Sequence, residues 1–189
     1  MIDTELALVR RPFVFMRHGE TPANAGHLIC GSTDVPLSPK GEEQARSAAW
    51  LGSYNWSCVA TSQLQRARST AQLALPERTL ISVEDLQERY WGALEMAPLT
   101  EQTPYEETPP DGEPWIVFKY RVVHALNQLL NAYDLPLIVA HSGVYRVIRE
   151  LQTGTPQGPR IENAEPVLIE PQADGWDMTL LKEIWFEQR

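Results

Sequence analysis

The sequence predicts an α/β fold built on a mostly parallel sheet, and two observations lead there. Strand and helix signals alternate along the chain instead of falling into separate blocks. Three short runs, Phe13-Val14-Phe15-Met16, Cys58-Val59-Ala60 and Leu137-Ile138-Val139-Ala140, are apolar at consecutive positions and each gives way to polar residues. Strands apolar at every position have both faces covered, as parallel strands between helical layers do.

Taken in order, Phe13–Met16 is the first strand. Ser38-Pro39 then offers an N-cap hydroxyl ahead of a proline at the first helical position, predicting a helix through Glu42–Leu51. Ala45, Ala48 and Ala49 give that helix a small, closely packing face. The strand at Cys58–Ala60 leads into a helix over Gln63–Leu75. Trp115–Ala132 is the longest helix, with Trp115, Phe118, Val122, Leu126, Leu129 and Leu130 near helical spacing. After the strand at Leu137–Ala140, a fourth helix spans Val144–Leu151. Pro166–Ile169 and Met178–Leu181 form a late strand pair, with Asp174-Gly175 as turn material. Leu99–Pro114 holds four prolines and much acidic charge, and reads as an insertion loop over one end of the domain.

Composition narrows the function. A chain of 189 residues suits one domain and is short for two, so residues 1–189 are read as a single unit carrying the Pro/acidic insertion at 99–114. The formal net charge of −9 argues against non-specific nucleic-acid binding, so an anionic ligand would need the arginines gathered at one place. Cys30 and Cys58 lack metal-ligand spacing and read as inert thiols, not a disulfide framework. Apolar runs are too short for a membrane span. Met1-Ile2-Asp3-Thr4-Glu5 is acidic and unlike a signal peptide, and after Arg10-Arg11 only Phe13–Met16 precede Arg17, so a cytoplasmic location is expected.

Four segments carry candidate chemistry. Arg17-His18-Gly19-Glu20-Thr21 lies where the first strand ends, the edge at which parallel sheets place ligands. An imidazole beside a guanidinium there suggests a nucleophile next to an anion binder. The loop Asn24–Ser38 that follows is either a ligand cover or a plain connection. Thr61–Arg68 starts a helix at a strand's carboxyl end, where free N–H groups favour an anion. Arg66 and Arg68 are two positions apart and cannot share a helix face, so at most one enters a site. Glu88, among Leu86, Tyr90 and Trp91, is either a proton donor or half of a surface pair with Arg89. His141 follows a buried strand and precedes a helix, the same setting as His18.

As an ordered set these motifs resemble the histidine phosphatase superfamily, which includes the cofactor-dependent phosphoglycerate mutases. Arg17-His18-Gly19-Glu20-Thr21 with Asn24 resembles the signature loop, and Pro36-Leu37-Ser38-Pro39-Lys40-Gly41 the Leu-Ser-x-x-Gly helix start. Ser62-x-Leu64-x-Arg66-Ala67 with Thr70-Ala71 resembles the phosphate-pocket helix, which selects Arg66 over Arg68. Leu86-Gln87-Glu88-Arg89 with Gly92 is similar to the acid-bearing segment, His141-x-Gly143-Val144-x-Arg146 to the second-histidine motif, and Asn163-Ala164 to the late Asn-Ala.

The resemblance implies a phosphoglycerate mutase-like, three-layer α/β/α sandwich with a mostly parallel central sheet. It implies that neutral His18 attacks phosphorus while the Gly19 carbonyl fixes its other nitrogen. Arg17, Arg66 and a protonated His141 would surround the phosphoryl oxygens, and Glu88 would protonate the leaving alkoxide. Thr21, Asn24, Gly31 and Ser142 would bind substrate, and neither metal nor cofactor is implied. The expected partner is a small phosphorylated metabolite, and the sequence leaves the oligomeric state open. Family mutases carry an arginine pair in a longer insertion and an Asn two residues after the second histidine. Here Leu99–Pro114 has no Lys or Arg and Gly143 stands at the second place, which favours hydrolysis over mutase-type transfer. The insertion's acidic charge would oppose highly charged sugar phosphates. A catalytically silent phosphate-pocket binder is the third reading.

Overall fold

The computed structural model describes residues 6–183. Six strands form one sheet in the order β3-β2-β4-β1-β5-β6. They are β1 (Phe13–Arg17), β2 (Val59–Ser62), β3 (Leu80–Val83), β4 (Leu137–Ala140), β5 (Pro166–Gln172) and β6 (Gly175–Leu180). The first four are parallel; β5 runs antiparallel to β1, and β6 to β5. The acidic pentapeptide Met1–Glu5, unlike a signal peptide in sequence, lies outside the described residues.

Side-chain alternation along β1 builds two cores from one strand. Phe13 and Phe15 pack with Ile138 against Phe118, Val122 and Leu126 of α4 (Trp115–Ala132) and Val144, Val147 and Ile148 of α5 (Ser142–Thr153). Val14 and Met16 pack with Leu137 and Val139 against Ala67, Ala71 and Ala74 of α3 (Gln65–Ala74) on the other face. The layers are therefore α4 and α5, the sheet, and α3 with α2 (Pro39–Ser47). Both sheet faces being covered explains why the strands read as unbroken apolar runs.

Several boundaries differ from those read in the sequence, each for a local reason. Helix α2 begins as its cap predicts, with Ser38 Oγ accepting the Gly41 N–H at 3.1 Å, but it ends at Ser47. The chain then tightens into a 3-10 turn over Ala49–Ser53, so Ala45 and Ala48 are buried while Ala49 is exposed. Helix α3 starts at Gln65 because Ser62 Oγ accepts the Leu64 N–H at 3.2 Å and holds that residue extended. Helix α5 extends to Thr153 and stops at Gly154, whose φ of 80° suits a residue without a Cβ. Strand β3 has no counterpart in the sequence reading. Ile81 and Ser82 are exposed at the sheet edge, so it lacks the doubly buried pattern. The β5–β6 hairpin is longer than expected, pairing Val167 with Leu180 through Gln172 with Gly175.

Two glycines let the loop after β1 lie directly on the first turn of α2. A Cβ at Gly41 would sit 2.0 Å from the Glu20 carbonyl oxygen, and one at Gly19 would sit 2.4 Å from the Gly41 carbonyl oxygen. In an ordinary helix Gly→Ala stabilises by up to about 1 kcal/mol. At Gly41 the clash reverses the sign: Gly41→Ala is expected to cost about 1–3 kcal/mol, the usual range for overpacking, lowering Tm by roughly 2–4 °C per kcal/mol. Gly52→Ala, with nothing within 4 Å of the new Cβ, is the tolerated control in the same thermal scan.

Candidate active site

The parallel ladder brings two strand ends together. Arg17 is in register with Ala140, and the pairing continues one step further as the His18 N–H donates to the Ala140 carbonyl at 3.0 Å. His18 and His141 therefore emerge side by side, their ring centroids 5.2 Å apart. A cavity of about 270 Å³ opens over these ends. Arg17, His18, Asn24, Gly31, Arg66, Glu88 and Ser142 of the expected residues line it.

His18 is held from both sides. Its Nδ1 lies 2.7 Å from the Gly19 carbonyl oxygen, which leaves Nε2 as the nitrogen offered to the cavity. Asn163 Nδ2 donates to the His18 carbonyl at 2.8 Å, and Thr70 Oγ1 accepts the Gly19 N–H at 2.9 Å. Burial, then the charges of Arg66 and Arg17, hold the His18 pKa well below the usual histidine range. Its ring is neutral, the state in which the free nitrogen keeps its lone pair.

The guanidinium of Arg66 is buried and donates to the carbonyls of Gly31 (2.6 Å) and Thr33 (2.8 Å). Arg68, two positions on, is exposed. Arg17 donates to the Ile161 carbonyl at 3.1 Å. The Nε atoms of Arg17 and Arg66 and Nδ1 of His141 are buried with no partner among the described residues.

Glu88 is half-buried, and two backbone N–H groups orient it. Arg89 N–H donates to Oε1 at 2.8 Å and Gly143 N–H to Oε2 at 2.9 Å. A Cβ at position 143 would lie 2.0 Å from Glu88 Oε1, so the motif glycine makes room for this carboxylate. The alternative of a Glu88–Arg89 surface pair is not what forms. Arg89 is fully buried and donates to the carbonyls of Tyr105, Glu107 and Glu113, with its guanidinium carbon 4.7 Å from the Trp91 ring centroid. Arg121 of α4, unremarked in the sequence, donates to the carbonyls of Asp85, Gln87 and Glu88 and so fixes the same segment.

Three expectations need correcting. Thr21 is fully buried and does not line the cavity; its hydroxyl accepts the Asn24 N–H at 3.2 Å, capping the short helix α1 (Pro22–Ala25). Asn24 completes that capping box through Oδ1 while reaching the cavity wall. His141 lies behind the cavity wall with Nε2 2.7 Å from Ser62 Oγ. Burial, then Arg66, His18 and Arg17, hold it neutral instead of protonated in the protein's own field. The acidic insertion turns its carboxylates away and offers the cavity Leu99, Gln102 and Tyr105. Its first turn, Leu99–Glu101, is a 3-10 helix. No sequence signal pointed to the apolar wall that Leu28, Ile29, Trp91, Leu99 and Tyr105 share, because its first and last members are 77 positions apart (105 − 28).

Of the remaining motif residues, Arg146 is buried away from the cavity and donates to the carbonyls of Pro156 and Gly158. Burial pushes the Cys58 thiol up to about 11 and raises that of Cys30, in keeping with inert thiols. Among the described residues, no helix is long and apolar enough to cross a membrane.

This arrangement has relatives. The family model described as histidine phosphatase superfamily (branch 1) matches residues 13–184. The chain belongs to the histidine phosphatase superfamily. An uncharacterized phosphatase of Bacillus subtilis, PhoE, is 33% identical over 174 residues, covering 85% of this chain and 89% of its own. The crystal structure of the alpha-ribazole phosphatase of Shigella flexneri superposes with a TM-score of 0.74 at 26% identity, covering 90% of this chain and 95% of that one. That of a phosphoglycerate mutase of Thermus thermophilus gives 0.73 at 29%, covering 90% and 99%. The phosphoglycerate mutase-like α/β fold is thus shared by superfamily members named for either reaction.

The two neutral histidines predict a pH effect on stability. The unfolded chain takes up protons near 6.5 that the folded rings refuse, so stability falls as pH drops from about 6.5 toward the depressed folded values. In the double variant His18→Gln, His141→Gln, the loss of Tm between pH 7.5 and pH 5 is expected to be smaller than in the parent. Parallel losses in thermal scans at the two pH values would refute this.

Proposed function

We propose that the protein hydrolyses phosphomonoesters through a phosphohistidine on His18, without metal, and that the leaving group bears no second anionic group. The observation that carries the reading is the fixed, neutral His18, offering Nε2 to a cavity that also holds Arg17, Arg66 and Glu88. Phosphoryl transfer asks chiefly for positioning and for charge around the equatorial oxygens. Two guanidinium groups lining the cavity supply that charge, and their planar, permanently charged form suits phosphoryl oxygens. The N–H of Ser142, in the first turn of α5, is a further donor.

In the first step His18 Nε2 bonds to phosphorus as the bond to the leaving oxygen breaks. Glu88, as the carboxylic acid, gives that oxygen its proton. Glu88, now a carboxylate, then takes a proton from water as water attacks phosphorus and His18 departs. A phosphoryl dianion in the cavity, across the wall from His141, would oppose the arginine field there and favour protonation of that ring during turnover.

Hydrolysis is favoured over mutase-type transfer by the remaining lining. Among the described residues, the arginine or lysine side chains of the wall beyond Arg17 and Arg66 reduce to Arg160 at the exposed rim, accompanied by Glu20 and Glu162. The apolar wall suits an uncharged alcohol better than a carboxylate or a second phosphate. Among primary alkyl phosphates of similar leaving-group strength, kcat/KM is therefore expected to be higher for uncharged alcohols than for 3-phosphoglycerate. A steady-state panel with a mutase assay alongside decides between the two reactions.

Removing His18 tests the covalent step. His18→Ala is expected to abolish both phosphate release and the acid-labile label left by a radiolabelled substrate, with the fold retained by circular dichroism. Glu88→Gln is expected to slow alkyl phosphates by about 10²–10⁴, the usual worth of a general acid, and activated aryl phosphates far less. Equal losses on both would remove Glu88 from proton transfer. A wild-type protein that binds phosphate but is silent on every ester would point to a binding module.

A further inference from the structure

Glu95 receives more hydrogen bonds than any role given so far requires. It follows a 3-10 turn at Gly92–Leu94 and reaches back to the loop after α1. Its Oε1 accepts the N–H groups of Ser32 (2.8 Å) and Trp91 (3.0 Å) and the Ser32 hydroxyl (3.3 Å). Its Oε2 accepts the Thr33 N–H at 2.9 Å and the Thr33 hydroxyl. One carboxylate thus satisfies five donors, three of them main-chain.

The turn it grips is shaped for it. Gly31 has φ of 55°, and a Cβ there would lie 2.0 Å from Glu95 Oε1. Successive N–H groups beside a left-handed residue form a concave anion seat, and here a side chain of the same protein occupies it. The carbonyls of that same turn, Gly31 and Thr33, are the two acceptors of the Arg66 guanidinium. Peptide planarity links the two sides, because rotating an N–H away from Glu95 rotates a neighbouring carbonyl away from Arg66.

We infer that Glu95 is the positioning residue of Arg66, acting through the Gly31–Thr33 turn to aim the guanidinium at the phosphoryl group. This rests on the phosphohydrolase reading above. The carboxylate does not pair with Arg66 directly: the arginine is held by neutral carbonyls, so its charge stays available to the substrate. Gln at this position keeps the size but turns an NH₂ group toward donors at one of the two oxygens, which displaces the turn.

The test is a double-mutant cycle on orthophosphate and orthovanadate affinity, read by calorimetry and by competitive inhibition. Glu95→Gln is expected to weaken both ligands by roughly tenfold or more, as for other lost hydrogen bonds to a charged group. The same variant should slow alkyl and aryl phosphates equally, unlike Glu88→Gln, because phosphoryl binding is indifferent to the leaving group. In an Arg66→Lys background the further effect of Glu95→Gln should fall to about twofold or less, since coupled residues are non-additive. Thr33→Val, which removes one donor and spares the backbone, should weaken phosphate in the same direction with little change in Tm, and it decides the matter if Glu95→Gln does not fold. Undiminished phosphate affinity in the folded variant, or full additivity with Arg66→Lys, overturns the assignment alone. A wild-type protein that binds neither oxyanion overturns the phosphoryl-site reading and the assignment with it.

Discussion

The β1–β4 hydrogen-bond ladder, prolonged by His18 N–H to the Ala140 carbonyl, is the constraint on which the site depends. Parallel pairing places both strands' carboxyl ends at one edge, so two histidines 123 positions apart (141 − 18) meet with rings 5.2 Å apart. β2, paired to the other side of β4, brings Ser62 to His141 and the start of α3 to the same edge. The apolar strands are a condition for this. Phe13 and Phe15 are buried on one face and Val14 and Met16 on the other, so a one-residue slip of β1 would exchange two differently shaped cores.

A second theme is how charge is buried here. Arg17, Arg66, Arg89 and Arg146 are all held by main-chain carbonyls. A carbonyl partner relieves desolvation of the guanidinium without cancelling its charge. In Arg17 and Arg66 the preserved charge does two things at once. It favours a phosphoryl anion, and it depresses the pKa values of His18 and His141. Burial is the larger cause of the neutral nucleophile, and the two side chains that make the anion site add to it.

Arg89 applies the same principle to the architecture around the site. Seated on Trp91 and Trp115, it draws in the carbonyls of Tyr105, Glu107 and Glu113, so the proline-rich insertion closes on the segment that bears Glu88. This explains why an acidic insertion presents the cavity with Leu99, Gln102 and Tyr105. Its backbone faces inward toward the arginine while exposed side chains such as Glu106, Glu107 and Asp111 remain in water.

What the sequence determined by itself was whatever is encoded over short distances. Phe13–Met16 and Leu137–Ala140 show their double burial in consecutive residues, Ser38-Pro39 caps its helix locally, and Arg17-His18, Arg66, Glu88 and His141 stand beside the elements that carry them. Edge strand β3 escaped because Ile81 and Ser82 face water, which removes the pattern that marks a strand. Only the tertiary structure decided which neighbours these residues meet. Thr21 turned inward to cap α1, His141 was buried against Ser62 and held neutral by that burial, with Arg66, His18 and Arg17 adding to it, and Glu95 gripped a turn 62 positions away (95 − 33). Burial, the electric field and long-range hydrogen bonds are properties of packed surfaces, and a linear pattern holds them only after the chain has folded.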